Sequence, residues 1–174
     1  MDTEALKAAI RDVPDFPKPG ILFKDITPVL SDPALYRQAV DIFVERCSRA
    51  GAQRIAAVDA RGFFFGGAVC DRLSLGLVPI RKKGKLPYKT YEESYELEYG
   101  SATLSVHQDA FEPGERVVLI DDLLATGGTA AASARLIEKA GGQVVEVDFL
   151  VELLFLKGRE KLSAYEVYAA IAFD

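Results

Sequence analysis

At 174 residues the chain has room for one domain with a substantial core and is too short for two ordinary ones. Its apolar and charged fractions are those of a globular protein, and no apolar run is long enough for a membrane span. The formal net charge of -5 argues against nucleic acid or an anionic membrane as partner, although Arg81-Lys82-Lys83-Gly84-Lys85 could still receive a small anion.

Thr3 to Val13 is predicted to be a short helix with Leu6, Ala9 and Ile10 on one face, and it lacks the apolar core of a signal peptide. Pro14, Pro17, Pro19 and Gly20 then impose irregular backbone. Ser31-Asp32-Pro33 sets up a helix start, and the helix that follows is expected to bury Leu35, Ala39, Ile42 and Phe43. Cys47 and Cys70 fall in helical segments without pairing or metal-ligand spacing. A reduced, soluble, cytoplasmic protein is the expectation.

From Arg54 strands and helices alternate. RIAAVD reads as a strand, GFFFGGAVCDRL as a helix, and GLVPI and RVVLIDD as strands. TAAASARLIEKAGG reads as a helix and VVEVDFLVEL as a further strand. Short apolar strands separated by amphipathic helices predict an α/β fold, a mainly parallel sheet with helices on both faces. Between Ile80 and Glu115 the rhythm breaks. KLPYKTYEESYELEYGSATLSVHQDAF reads as a long arm or hairpin, and an insertion of that length is often a lid.

Ligands of open parallel sheets bind beyond the carboxyl ends of the strands. Three such ends carry conspicuous residues here: Asp59-Ala60-Arg61-Gly62, Arg81-Lys82 and Asp121-Asp122. The sharpest signal is VVLIDDLLATGGTAAASARL, residues 117–136. A buried strand ends in two carboxylates, and a small turn, Ala125-Thr126-Gly127-Gly128-Thr129, then opens a helix. Successive amides at a helix start cradle an anion, with Thr126 and Thr129 adding hydroxyls. Asp121 and Asp122 suit ribose hydroxyls or a magnesium shell, so the two ends of the motif together describe a sugar phosphate. There is no Gly-Lys-Ser/Thr loop ending, and no GxGxxG follows the first strand.

VVLIDDLLATGGTA resembles the phosphoribosyl pyrophosphate signature of the type I phosphoribosyltransferases, and its DDLLATGGT core is similar to that of the adenine-specific branch. FPKPGILFKDITPVLSDP resembles the N-terminal hood of that branch and ARGFFFG its pyrophosphate-loop region. IRKKGKLP and SYELEYG resemble the borders of its mobile loop, and LVEL and LKGREKL its C-terminal region. The resemblance implies a single type I phosphoribosyltransferase domain over residues 1–174, with a hood mainly in 1–35 and a mobile loop at about 82–99. It further implies a pentosyltransferase of purine salvage, working as a homodimer with Mg2+, whose small-molecule partners are adenine, phosphoribosyl pyrophosphate, AMP and pyrophosphate.

On that resemblance Ala125, Thr126, Gly127, Gly128 and Thr129 bind the 5′-phosphate, and Asp121 and Asp122 hold the ribose hydroxyls. Asp59, Ala60 and Arg61 form the pyrophosphate loop with a strained or cis peptide at Asp59-Ala60. Ala60 stands where the family commonly has serine, which removes a hydroxyl but leaves the backbone donors. Arg81, Lys82, Lys85 and Tyr99 are implied at the pyrophosphate, some of them reaching across a dimer interface. Leu22, Phe23, Lys24 and Leu153 are implied at adenine, Leu22 and Lys24 through their backbone. Glu98 is implied in proton transfer to or from the purine, with Arg61 the other catalytic candidate. Magnesium is expected to enter with the pyrophosphate rather than to occupy a fixed site. His107 matches no motif. The alternatives are another purine or orotate phosphoribosyltransferase, and a non-catalytic regulator that senses phosphoribosyl pyrophosphate.

Overall fold

A computed structural model describes residues 3–96 and 100–174. Its elements run α1 (Glu4–Ala9), β1 (Arg11–Pro14), β2 (Leu22–Asp25), α2 (Thr27–Ser31), α3 (Pro33–Arg49), β3 (Arg54–Val58), α4 (Gly62–Leu73) and β4 (Gly76–Lys82). Then come β5 (Thr90–Glu96), β6 (Ser101–His107), β7 (Arg116–Leu124), α5 (Gly128–Lys139), β8 (Gln143–Leu153) and β9 (Val167–Phe173), with two 3-10 turns at Leu154–Leu156 and Gly158–Leu162.

Among the described residues the main sheet has seven strands in the order β5-β6-β4-β3-β7-β8-β9. Its β4-β3-β7-β8-β9 portion is parallel, and β6 and β5 add antiparallel at one side. Side chains alternate along β7. Val118 and Ile120 join the core under α3 and α4 with Phe43 and Phe65, whereas Val117 and Leu119 join the core under α5 with Leu136 and Ile137. Burial on both faces is what makes RVVLIDDLL read as one apolar run. The predicted α/β class is observed. No helix among the described residues is long and apolar enough to cross a membrane.

Asp32 caps α3 as expected, its carboxylate accepting from the amides of Ala34 and Leu35 at 2.8 and 3.0 Å. Ala39, Ile42 and Phe43 are buried, while Leu35 is only half-buried against the same core. The predicted helix over Thr3 to Val13 is corrected: it stops at Ala9, and Arg11–Pro14 pairs antiparallel with Leu22–Asp25. Strand pairing across the proline-rich turn overrides the local helical period, and Pro14 sits at the end of a strand that needs few of its donors. The tyrosine-rich insertion is a hairpin whose β6 pairs with β4, so it extends the main sheet. Cys47 and Cys70 are free and buried, and burial pushes the Cys70 thiol up to about 11. Both thiols are inert at neutral pH.

One buried group works against the fold. Asp148 on β8 is 0% exposed and neither carboxyl oxygen has a hydrogen-bond partner among the described residues. Burial pushes it up to about 7, with the Arg46 charge pulling the other way. The folded state therefore holds a proton that the unfolded chain releases above about pH 4. Ionisation of Asp148 costs the fold nothing below that pH, and the cost grows as pH rises and is complete above about 7. Asp148→Asn is expected to raise the melting temperature over wild type at pH 8, by at most about 4 kcal/mol of stability, and to gain progressively less toward pH 4. Thermal unfolding of both proteins across that range checks this; a pH-independent difference would remove Asp148 as its source.

Candidate active site

The parallel strands deliver their carboxyl ends to one place. Beyond β3 lie Asp59, Ala60 and Arg61, and beyond β7 lie Asp121 and Asp122 followed by the turn into α5. These residues and Ala125–Thr129 line one pocket of about 260 Å³, floored by Val58, Leu123, Leu124, Ala130 and Phe149. The Asp59–Ala60 peptide is cis, as the sequence resemblance implies.

Two charge pairs organise the rim. Arg61 Nε lies 2.8 Å from Asp122 Oδ2, and Arg81 Nε donates to Asp59 Oδ2 at 2.8 Å. Arg81 also donates to the Lys85 carbonyl at 3.1 Å, which folds the basic loop back on the β4 end. Arg81 is thus second-hand to the pocket, coupled to it through Asp59. Lys82 and Lys85 are exposed and outside the pocket lining.

Asp121 and Asp122 share an internal bond, the Asp122 amide donating to Asp121 Oδ1 at 2.9 Å. Burial pushes the Asp121 carboxyl well up, and the like charge of Asp122 adds to it. Burial also raises Asp122, against the pull of Arg61. Such a pair favours a ligand that brings hydroxyl donors or positive charge. Among the described residues no three His, Cys, Asp or Glu side chains gather to hold a metal. Two adjacent carboxylates, one already paired with Arg61, fit a hard cation that brings its remaining oxygen ligands from water and a diphosphate.

At the turn into α5, Gly127 adopts φ +77°. A Cβ there would run into the Gly158 carbonyl, so the turn is closed by backbone against backbone. The first amides of α5 have no intrahelical acceptor, and Gly128, Thr129 and Ala130 line the pocket. The Thr129 hydroxyl bonds the Tyr95 hydroxyl at 2.9 Å, tying the β5–β6 hairpin to the start of α5. Arg135 reinforces this, donating to Glu93 at 2.7 Å.

None of the expected base residues is in the pocket lining, and Phe23 adjoins it through Arg61. Phe23 on β2 packs edge-on against Phe16, with centroids 5.1 Å apart, and the Arg61 guanidinium carbon is 5.5 Å from its ring centroid. Leu22 is exposed. The Lys24 ammonium is 2.5 Å from Asp12 and 4.1 Å from the Phe173 ring centroid. Leu153 is buried at the end of β8 opposite Phe173. Glu98 and Tyr99 lie outside the described residues.

Sequence reasoning missed Gly158, Tyr95 and Phe173. Gly158 falls inside LKGREKL and Tyr95 inside SYELEYG, so both lay within motifs already noted. Phe173 carried no signal, because its importance comes only from facing both Leu153 and Lys24.

The phosphoribosyl transferase domain family matches residues 31–167 of the chain. The adenine phosphoribosyltransferase of Desulfitobacterium hafniense is 56% identical over 164 residues, which is 94% of this chain and 95% of that protein. The crystal structure of adenine phosphoribosyltransferase from Thermoanaerobacter pseudethanolicus superposes with a TM-score of 0.96 at 49% identity, covering 99% of this chain and 100% of that one. The Saccharomyces cerevisiae adenine phosphoribosyltransferase, solved with an imino-altritol bisphosphate and adenine, gives a TM-score of 0.92 at 38% identity and covers 97% of each chain.

Gly127→Ala is expected to lower stability by about 1–3 kcal/mol, from a side chain at positive φ and its collision with Gly158. Its melting temperature against wild type reads this directly. An unchanged value would mean that the turn can retreat from Gly158.

Proposed function

Because the chain belongs to the adenine phosphoribosyltransferase family, we propose that it transfers the phosphoribosyl group of phosphoribosyl pyrophosphate to adenine, giving AMP and pyrophosphate. The observation that carries the reading is one pocket in which a half-buried and a buried carboxylate, Asp121 and Asp122, adjoin a glycine-turned helix start. A sugar that is also a phosphate ester asks for both at that spacing.

In this reading the amides and hydroxyls of Ala125–Thr129 hold the 5′-phosphate, and Asp121 and Asp122 accept from the ribose hydroxyls. Asp59, Ala60 and Arg61 receive the pyrophosphate, with Arg81 supporting Asp59 and with Lys82, Lys85 and Tyr99 supplying further charge and donors from the basic loop and the arm. Magnesium, entering with the substrate diphosphate beside Asp121 and Asp122, would offset the charge of the leaving group.

Displacement at the anomeric carbon needs no enzyme nucleophile. The chain's task is to align the two reactants, neutralise the departing diphosphate and exclude water. Arg61 suits the second role because it borders both the pocket and Phe23. Residues about 82–99 would act as the lid and residues 1–35 as the hood. Within the hood, Phe23 faces the purine while the backbone of Leu22 and Lys24 reads its edge, and Leu153 closes the opposite side. An amide donor meets adenine N1 and a carbonyl accepts from the 6-amino group. A 6-oxopurine reverses that pattern and leaves groups unpaired, at about 1–3 kcal/mol each. Glu98 is the proposed proton-transfer group. The reading extends to a homodimer, for which the exposed apolar side chains Phe64 and Leu77 offer surface, and to the cytoplasm, where free thiols persist.

The test is AMP formation from phosphoribosyl pyrophosphate and magnesium, with adenine, hypoxanthine, guanine, xanthine and orotate assayed in parallel. Turnover with adenine alone is expected. Turnover with another base would overturn the hood reading, and none with any base would favour a sensor of phosphoribosyl pyrophosphate. Glu98→Gln is expected to cut kcat by about 10²–10⁴-fold with little change in KM; unchanged turnover removes Glu98 from the reaction. Asp121→Asn should raise the KM for phosphoribosyl pyrophosphate and leave that for adenine alone. A rise confined to adenine would refute the ribose assignment.

A further inference from the structure

The turn proposed to hold the 5′-phosphate does not stand on its own strand and helix. Gly158 lies directly against it: a Cβ on Gly158 would collide with the Ala125 carbonyl and lie 2.8 Å from Leu124 Cδ1, and one on Gly127 would collide with the Gly158 carbonyl. The next residue, Arg159, is bound on two sides. Its Nε donates to Glu152 Oε1 and Oε2 at 2.8 and 2.9 Å, its Nη2 to Oε2 at 2.7 Å, and its Nη1 to the Val167 carbonyl at 2.8 Å. Glu152 is 4% exposed and pairs in register with Leu124, the residue that leads into the turn. A planar guanidinium gripping a buried carboxylate in this way is a fixed joint, and a lysine cannot reproduce it.

We infer that Arg159 is a positioning residue for the 5′-phosphate site, acting through Gly158 on the Ala125–Gly127 turn, with Glu152 as its buried anchor. The joint links the ends of β7, β8 and the start of β9, so the phosphate amides inherit their placement from the sheet itself. Displacing such donors by a fraction of an ångström weakens binding of the group they face without touching it. This inference rests on the proposed reading of Ala125–Thr129, and the experiment separates the two.

Binding of ribose 5-phosphate and of adenine is measured by titration calorimetry on the full chain, alongside KM and kcat. The variants are Arg159→Lys, Gly158→Ala and the double variant Arg159→Met/Glu152→Gln, which avoids stranding a buried charge. Gly158→Ala and the double variant are expected to weaken ribose 5-phosphate by about ten-fold or more and to raise KM for phosphoribosyl pyrophosphate in parallel. Adenine binding should change less than about two-fold, and Arg159→Lys should fall between wild type and the double variant. If wild type binds ribose 5-phosphate and the variants bind it equally well, the inference is wrong. Equal losses for both ligands with a lowered melting temperature would make Arg159 merely structural and also overturn it. If wild type itself fails to bind ribose 5-phosphate, the reading of the turn falls, and the inference with it.

Discussion

The ion pair between Arg61 and Asp122 stands where three parts of the chain meet. Arg61 begins α4 after β3, Asp122 lies near the end of β7, and the face of Phe23 in the N-terminal hairpin is beside the guanidinium. Two adjacent carboxyls at a strand end, Asp122 buried and Asp121 half-buried, oppose folding unless something offsets them. Arg61 does so for one of them. The remaining tendency of Asp121 and Asp122 to hold a proton is what a polyhydroxylated, cation-bearing ligand would relieve.

The sheet makes this arrangement possible. Parallel strands bring β3, β4 and β7 to the same edge, so three short loops from distant parts of the sequence converge without long connections. The two cores on either side hold those ends at fixed spacing, which a site built for two reactants requires. The hairpin of β5 and β6 is joined to the start of α5 through Tyr95 and Thr129. The N-terminal pair of strands is tied to β9 through Lys24 and Phe173.

Much of this was legible from the chain alone, and the reason is locality. Apolar runs bounded by helices gave β3, β7, β8, α4 and α5, and the two aspartates and the glycine turn sit contiguously between Val117 and Thr129. What stayed hidden depends on contacts between distant residues. The β1–β2 pair competes with a helical period over Thr3 to Val13 and wins through partners some ten residues away. β9 was not anticipated, since Ala169, Ala170 and Ala172 favour helix locally and only β8 makes the segment a strand. Likewise Arg61 and Asp122 were each singled out, but nothing in their spacing shows that they pair. The resemblance implies Arg81 at the pyrophosphate, and its bond to Asp59 depends on two strand ends lying side by side.

The measurement that tests the account most directly is a crystal structure with AMP bound, because that one ligand carries both the phosphate and the purine. The account predicts the phosphate within hydrogen-bond distance of the amides between Ala125 and Thr129, the ribose hydroxyls at Asp121 and Asp122, and the adenine ring between Phe23 and Leu153. A phosphate seated instead on the Arg81–Lys85 loop, or a purine away from Phe23, would contradict it.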